Sequence, residues 1–287
     1  MDALDDCKAG ASRAMRFQRR ARCLGVGLTW IGMMVAVAAA AAEGPAADRP
    51  RPSDDWTFRP TVIIRKGSSQ GSGSIIASVQ GETLVLTAAH VVEDRGPLKV
   101  EFHRYNLGLE RDSGHGKWPR SIAAEVVGAD VAADVAILQI KGQPPVPYVA
   151  RLAVQGAEPR PGTLVTSIGI DRGTKLSSWA TRIAEINRFE IEGTGAERWF
   201  LVTHRPPDFG RSGGGLFLAN GDLVGVCVGR AGFVRGRTSG VFASRSSIRR
   251  LLRTHDLEAR IDPGSAPYPA RARTRPSITT TQAQTPP

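Results

Sequence analysis

Residues 209–216 read Phe209-Gly210-Arg211-Ser212-Gly213-Gly214-Gly215-Leu216. A serine set among glycines suits neither a helix interior nor a regular strand, because glycine opens backbone conformations closed to other residues. Acyl transfer needs that freedom. The serine must present its hydroxyl while nearby backbone N–H groups aim at the oxyanion developing on the attacked carbonyl, each such donor being worth about 10²–10³ in rate. Gly210 leaves its N–H unobstructed and the Ser212 N–H is the second donor, so Gly210 and Ser212 are the expected oxyanion hole. A serine hydroxyl is a weak nucleophile alone; it needs a base within hydrogen-bond reach, and the base needs an orienting carboxylate.

Two upstream segments offer those groups. In Leu86-Thr87-Ala88-Ala89-His90-Val91-Val92, His90 sits just beyond an apolar strand, after small residues that let the chain turn sharply. In Ala133-Asp134-Val135-Ala136-Ile137-Leu138, Asp134 stands at the head of another apolar strand, at the edge of a core dry enough to hold an imidazole tightly. Asp130, after Gly128-Ala129, reads as a turn residue, and His103, His115, His204 and His255 sit in no motif. The expected catalytic residues are therefore His90, Asp134 and Ser212.

These three segments, in this order, resemble the trypsin-like serine proteases, and in detail the HtrA/Deg branch. Gly71-Ser72-Gly73-Ser74-Ile75-Ile76 is similar to that family's strand before the histidine. Gly221-Asp222-Leu223-Val224-Gly225-Val226 is similar to its hairpin after the serine, and Gly240-Val241-Phe242-Ala243 to its domain end. The resemblance covers roughly residues 58–256 and implies an all-β fold, a double six-stranded β-barrel with a C-terminal helix and the site between the barrels. It also implies a substrate pocket formed by Pro206 and by Cys227 and Val228. No acid stands at the pocket base, where Pro206 falls, so small or medium apolar P1 residues are expected unless the loop folds Asp208 inward.

Digestive members of the family are activated when a new N-terminus pairs with an Asp directly before the catalytic serine. Arg211 holds that position here, and two like charges buried together repel. No zymogen step is expected, with Arg211 pointing outward or pairing with an acid such as Asp208. HtrA-like proteases often carry a PDZ domain; regulation through one is not expected here, since only about 30 residues follow the terminal helix.

The rest of the chain fits this frame. Six strand-length apolar runs, Thr61–Arg65, Ser74–Val79, Thr83–Thr87, Leu98–Phe102, Ile122–Val127 and Val135–Ile140, precede a second six, Leu164–Ile170, Trp179–Ile186, Trp199–Thr203, Gly215–Leu218, Leu223–Val228 and Val241–Ala243. Gly, Pro, Asn and Asp punctuate them, and short strands so spaced predict sandwiches or barrels. One helix is expected over Ser246–Thr254, capped by Ser246. Gly210-Arg211-Ser212-Gly213-Gly214 also fits the nucleophile elbow of α/β-hydrolases, with Asp222 and His255 following. That elbow requires a helix straight after the serine, and here a strand, an Asn-Gly turn and another strand follow.

Residues 1–42 read as a signal peptide or membrane anchor: Arg13, Arg16, Arg19, Arg20 and Arg22 precede an apolar stretch from Cys23 to Ala42 that closes on alanines. The domain beyond is expected to be exported, periplasmic or secreted, with a membrane tether through residues 23–42 if that segment is retained. Residues 43–56 read as a linker, 57–256 as the protease domain and 257–287 as a disordered Pro/Thr/Arg-rich tail. Residues 103–118 form a surface insertion with no assigned role. The chain's net charge is +11, and residues 1–42 hold six basic and three acidic side chains, so +8 remains on the rest. Those charges are scattered, without interleaved aromatics, so no nucleic acid is expected as a partner. Beyond Cys7 and Cys23 only Cys227 remains, so the exported domain has no internal disulfide; no metal-ligand spacing appears, and neither metal nor cofactor is expected. The reading is a serine endopeptidase acting on protein or peptide substrates; the alternative is a catalytically weak or inactive binding module on the same fold. The alternative draws on Arg211, on Gly215 after Ser-Gly-Gly, on the Pro206-Pro207 stiffening and on Ile170-Asp171-Arg172-Gly173, all departures from the family pattern.

Overall fold

A computed structural model describes residues 54–79, 81–109, 116–153, 158–191, 193–234 and 237–261. The export segment expected over residues 1–42 lies outside them, as do most of the linker and the tail from residue 262 onward. No helix among the described residues is long and apolar enough to cross a membrane.

The first group of runs forms β1 (Thr61–Lys66), β2 (Ser69–Val79), β3 (Glu82–Thr87), β4 (Leu98–Phe102), β5 (Arg120–Ala123), β6 (Glu125–Asp130) and β7 (Val135–Lys141). They make one antiparallel sheet in the order β5-β4-β1-β2-β3-β7-β6. The sheet has seven strands where six were expected, because the run Ile122–Val127 is interrupted at Ala124, whose N–H turns to the Leu98 carbonyl at 3.1 Å. Before the break the chain pairs with β4 and after it with β7. One stretch of backbone thus links the two edges of the sheet and curls it.

The second group forms β8 (Leu164–Asp171), β9 (Lys175–Glu190), β10 (Glu197–Thr203), β11 (Gly215–Leu218), β12 (Leu223–Val234) and β13 (Arg237–Ser244). These close into a six-stranded barrel in the order β10-β13-β12-β11-β8-β9.

Strand side chains alternate between faces, and here both faces of the central strands are buried. Val85, Leu138 and Ile140 join Val62, Ile64, Ile75, Val100 and Phe102 inside the first barrel. Their neighbours Leu84, Leu86, Val135 and Ile137 face the other way, onto Ile168, Phe200, Val202, Phe217 and Val226 of the second. This double burial explains why β3 and β7 read as unbroken apolar runs. It also places the end of β3 and the start of β7 at the seam between the barrels.

The helix, α1 (Arg245–Thr254), starts one residue earlier than expected. Its cap is Ser244, which accepts the Ser247 N–H; the expected cap, Ser246, instead gives its own N–H to the Glu158 carboxylate at 2.8 Å. Ile248, Leu251 and Leu252 enter the inter-barrel cluster, and the helix touches β6 and β7 of one barrel and β10, β12 and β13 of the other.

The folded region runs past both expected bounds. Asp54–Trp56, expected in the linker, form a 3₁₀ turn, and the Trp56 ring stacks on the Arg151 guanidinium at 5.0 Å. Leu257, expected in the tail, is buried, and a 3₁₀ turn over Glu258–Arg260 follows it. The insertion is anchored at its start: Asn106 is fully buried and donates to the carbonyls of Arg59 at 2.6 Å and Thr61 at 2.8 Å.

Candidate active site

β3 ends at Thr87, and the chain turns through a short 3₁₀ helix, Ala89–Val92, that carries His90 out of the barrel. Ala89, Val91 and Val92 bury their side chains while the His90 side chain stays 37% exposed, so the turn is bolted down and the imidazole is presented. Asp134 comes from the neighbouring strand end, just before β7, which pairs with β3 at Thr87 and Ala136, on a tight turn in which the Asp134 N–H bonds the Val131 carbonyl at 3.2 Å. Its φ of 54° is left-handed, a conformation that Asp tolerates better than most side chains.

The Asp134 side chain, 5% exposed, spends both oxygens on one residue. Oδ2 lies 2.7 Å from His90 Nδ1, and Oδ1 accepts the His90 backbone N–H at 2.9 Å. The two bonds fix ring and backbone together, which a single contact would not do. Burial works against charging the His90 ring, but the hydrogen bond and charge of Asp134, with a smaller contribution from Glu93, outweigh it, and the His90 pKa is raised.

Ser212 reaches the same place through its backbone. Its carbonyl accepts the Ser72 N–H from β2 at 2.7 Å. Gly213, at φ 83°, packs so closely that a Cβ there would lie 2.1 Å from the Ser72 carbonyl oxygen and 2.3 Å from Thr87 Oγ1, which excludes any other residue. The loop of the serine therefore rests on the strand end that leads to His90. No hydrogen bond joins the Ser212 hydroxyl to His90 among the described residues.

Gly210 has φ 86°, and its own missing Cβ would strike the Ile170 carbonyl oxygen at 2.8 Å and the Arg172 nitrogen at 2.9 Å. Its peptide is pinned from behind: the Phe209 carbonyl accepts the Arg172 N–H at 2.6 Å. A trans peptide carries its C=O and N–H on opposite sides, so the Gly210 N–H points away from that bond.

The pocket residues divide. Pro206 is half-buried, Asp208 is exposed and Arg230 spans the rim, its Nε donating to the Pro207 carbonyl at 2.7 Å. Cys227 and Val228 are buried side chains of two different core clusters, so neither side chain is exposed to line a pocket. Burial pushes the Cys227 thiol up to about 12, against an opposing pull from Arg211.

Arg211 corrects an expectation. It neither points outward nor pairs with Asp208; it is fully buried and pairs with Asp171, while Asp208 lies 3.4 Å from Arg230. Sequence reasoning also missed Ser72. Its hydroxyl donates to the Gly210 carbonyl at 2.8 Å and accepts the Ile170 N–H at 2.8 Å, so one side chain ties β2, β8 and the serine loop. The only hint was a small polar residue between two glycines in an apolar strand.

The family model of the trypsin-like peptidase domain matches residues 71–226, more than half of the chain. The chain is 30% identical over 166 residues to the serine protease Do-like HtrA of Bacillus subtilis, covering 55% of this chain and 33% of that protein. It is 27% identical over 156 residues to the periplasmic pH-dependent serine endoprotease DegQ of Escherichia coli, covering 54% and 30%. It thus spans about a third of the length of these curated relatives. Among solved structures it is similar to the Rv3671c protease of M. tuberculosis in its active form, with a TM-score of 0.53 and 23% identity over 79% of this chain and 95% of the other, a likeness of fold.

Proposed function

Since the chain belongs to the trypsin-like peptidase domain family, we propose that it is a serine endopeptidase whose catalytic residues are His90, Asp134 and Ser212. The observation that carries this is the two-point hold of Asp134 on His90, at 2.7 and 2.9 Å, beside the loop of Ser212. Asp134 keeps the Nδ1 proton in place, so Nε2 is the basic nitrogen. Ser212 Oγ attacks the scissile carbonyl as its proton passes to His90, and the oxyanion forms against the N–H groups of Gly210 and Ser212. The intermediate collapses with His90 protonating the leaving amine, which leaves an acyl-enzyme on Ser212. Water, deprotonated by His90, attacks the ester, and the returning proton frees the serine.

The substrates are proteins or peptides. Asp208 faces Arg230 rather than the pocket base, which favours small or medium apolar P1 residues. The basic and apolar segments of residues 1–42, with periplasmic DegQ among the relatives, favour work outside the cytoplasm for the folded region that includes Asp54.

The test is fluorophosphonate labelling with mapping of the modified residue, beside hydrolysis of a peptide library. Labelling at Ser212 and hydrolysis lost in Ser212→Ala are expected, with cleavage after apolar residues. A folded chain that leaves the probe unreacted, yet binds peptide, is instead the non-catalytic module.

A further inference from the structure

Arg211 is the largest side chain buried to 0% exposure, and it stands immediately before Ser212. Burying a guanidinium is costly unless every donor is met. Here they are met densely. Nε and one terminal nitrogen grip the two oxygens of Asp171 at 2.9 and 2.8 Å. The other terminal nitrogen donates to the Ser167 carbonyl at 3.2 Å and approaches the Ser177 carbonyl at 3.4 Å, and the Ser177 hydroxyl bonds both Arg211 and Asp171. The guanidinium carbon lies 5.1 Å from the centre of the Trp179 ring. The whole cage is built from β8 and β9 around one side chain that stands next to Ser212.

Its position suggests what it holds. Asp171 is the last residue of β8, and its neighbours on either side also reach the serine loop. Ile170 is bridged by the Ser72 hydroxyl to the Gly210 carbonyl, Asp171 grips Arg211, and the Arg172 N–H holds the Phe209 carbonyl. Three consecutive residues thus fasten three consecutive residues, and the fastened peptides include the one that carries the Gly210 N–H. Arg172 itself sits at φ 51°, a left-handed conformation for a non-glycine residue. Among the described residues neither the Gly210 N–H nor the Ser212 N–H has a hydrogen-bond partner, so both remain free to donate.

We infer that the Arg211–Asp171 ion pair is a positioning device that sets the Gly210 and Ser212 N–H groups toward the oxyanion. The inference rests on the peptidase reading above. The pair is internal to one chain and independent of any terminus, so the oxyanion hole is set by folding itself. Arg211 touches no reacting atom; it acts through the loop backbone, directly on the peptide that carries the Ser212 N–H and, through the Gly210–Arg211 peptide, on the Gly210 N–H one step further. Lysine replaces it only in part, because an ammonium keeps the charge but cannot make the two parallel bonds that fix orientation.

The experiment removes both charges at once, in the double variant Arg211→Met with Asp171→Asn, so that no unpaired charge stays buried. Near-ultraviolet circular dichroism establishes its fold, and steady-state kinetics on a peptide ester separate kcat from KM across pH. Loss of an oriented oxyanion donor lowers kcat on the order of 10²-fold, with KM held and the acid limb of the pH profile unmoved, since His90 keeps its partner. Arg211→Lys is expected between the double variant and the wild type. A folded double variant with wild-type kcat overturns the inference, as does a loss of kcat accompanied by a matching rise in KM or a shifted acid limb. If the double variant does not fold, a folded Arg211→Lys decides alone: full kcat overturns the inference and a reduced kcat at constant KM supports it. An inert wild type overturns the peptidase reading and this inference with it, whereas an active wild type beside an unimpaired variant overturns this inference only.

Discussion

Asp134 meets one histidine with both oxygens, and that economy makes it sensitive to a change of a single atom. In Asp134→Asn the amide can turn its NH₂ toward Nδ1, which favours the tautomer with the wrong nitrogen protonated. We expect kcat to fall on the order of 10⁴-fold, with the circular dichroism spectrum unchanged. The pH dependence follows from the sign of the His90 shift. Only the neutral ring accepts the serine proton, and the raised pKa means activity climbs with pH through a midpoint above that of an ordinary histidine. Glu93 is exposed and favours the charged ring, so Glu93→Gln should move the acid limb of kcat/KM to lower pH. Added salt should shrink that difference by screening the wild-type carboxylate. A limb that stays put or moves upward contradicts the assignment of the limb to His90. The pairing of His90 with Asp134 was legible because each lies in a short local pattern at a strand end, and the structure brings the two side chains to 2.7 Å. The partner of Arg211 was not. Asp208 is the nearest acid before it in sequence, but closure of the barrel brings Asp171 beneath it, and only the three-dimensional path of β8 reveals that.

Between single residues and the whole lies the junction of β2, β8 and the serine loop, which hangs on the Ser72 hydroxyl. Ser72→Ala leaves the Gly210 carbonyl and the Ile170 N–H without that partner. An orphaned buried polar group costs about 1–3 kcal/mol, so the urea midpoint should fall accordingly. Because the Gly210–Arg211 peptide, between the two expected oxyanion donors, is released, kcat should fall as well; an unchanged midpoint and kcat together contradict the bridging role. Strand positions were legible wherever apolar runs met turn residues. The split of Ile122–Val127 was not, because the break at Ala124 is a change of pairing partner from β4 to β7, and side-chain pattern does not encode it. The helix start slipped for a similar reason: three nearby serines, Ser244, Ser246 and Ser247, are chemically equal caps until the exit angle of β13 selects the first.

For the molecule as a whole, the seam between barrels does most of the joining. The apolar cluster there draws on both barrels and on α1, and it includes Leu86 before His90 and Ala133 and Val135 on either side of Asp134, so loosening the seam is expected to disturb the candidate site and stability together. Two groups of six runs made the bipartite fold legible, but not which faces would meet, because doubly buried strands lack the alternation that tells inside from outside. Leu251→Ala removes a side chain 2% exposed from the seam and should lower stability by about 2–5 kcal/mol. Cys227 offers the way to measure it. It is the only thiol from residue 43 onward, it is completely enclosed, and its proton is held to about pH 12. Maleimide can therefore reach it only when the chain opens, and the rate of alkylation under native conditions reports that opening. Where reclosing outpaces alkylation, that rate scales with the opening equilibrium, and Leu251→Ala should be alkylated faster by the full factor its lost stability implies. Without any added label site, the domain thus carries its own clock for breathing.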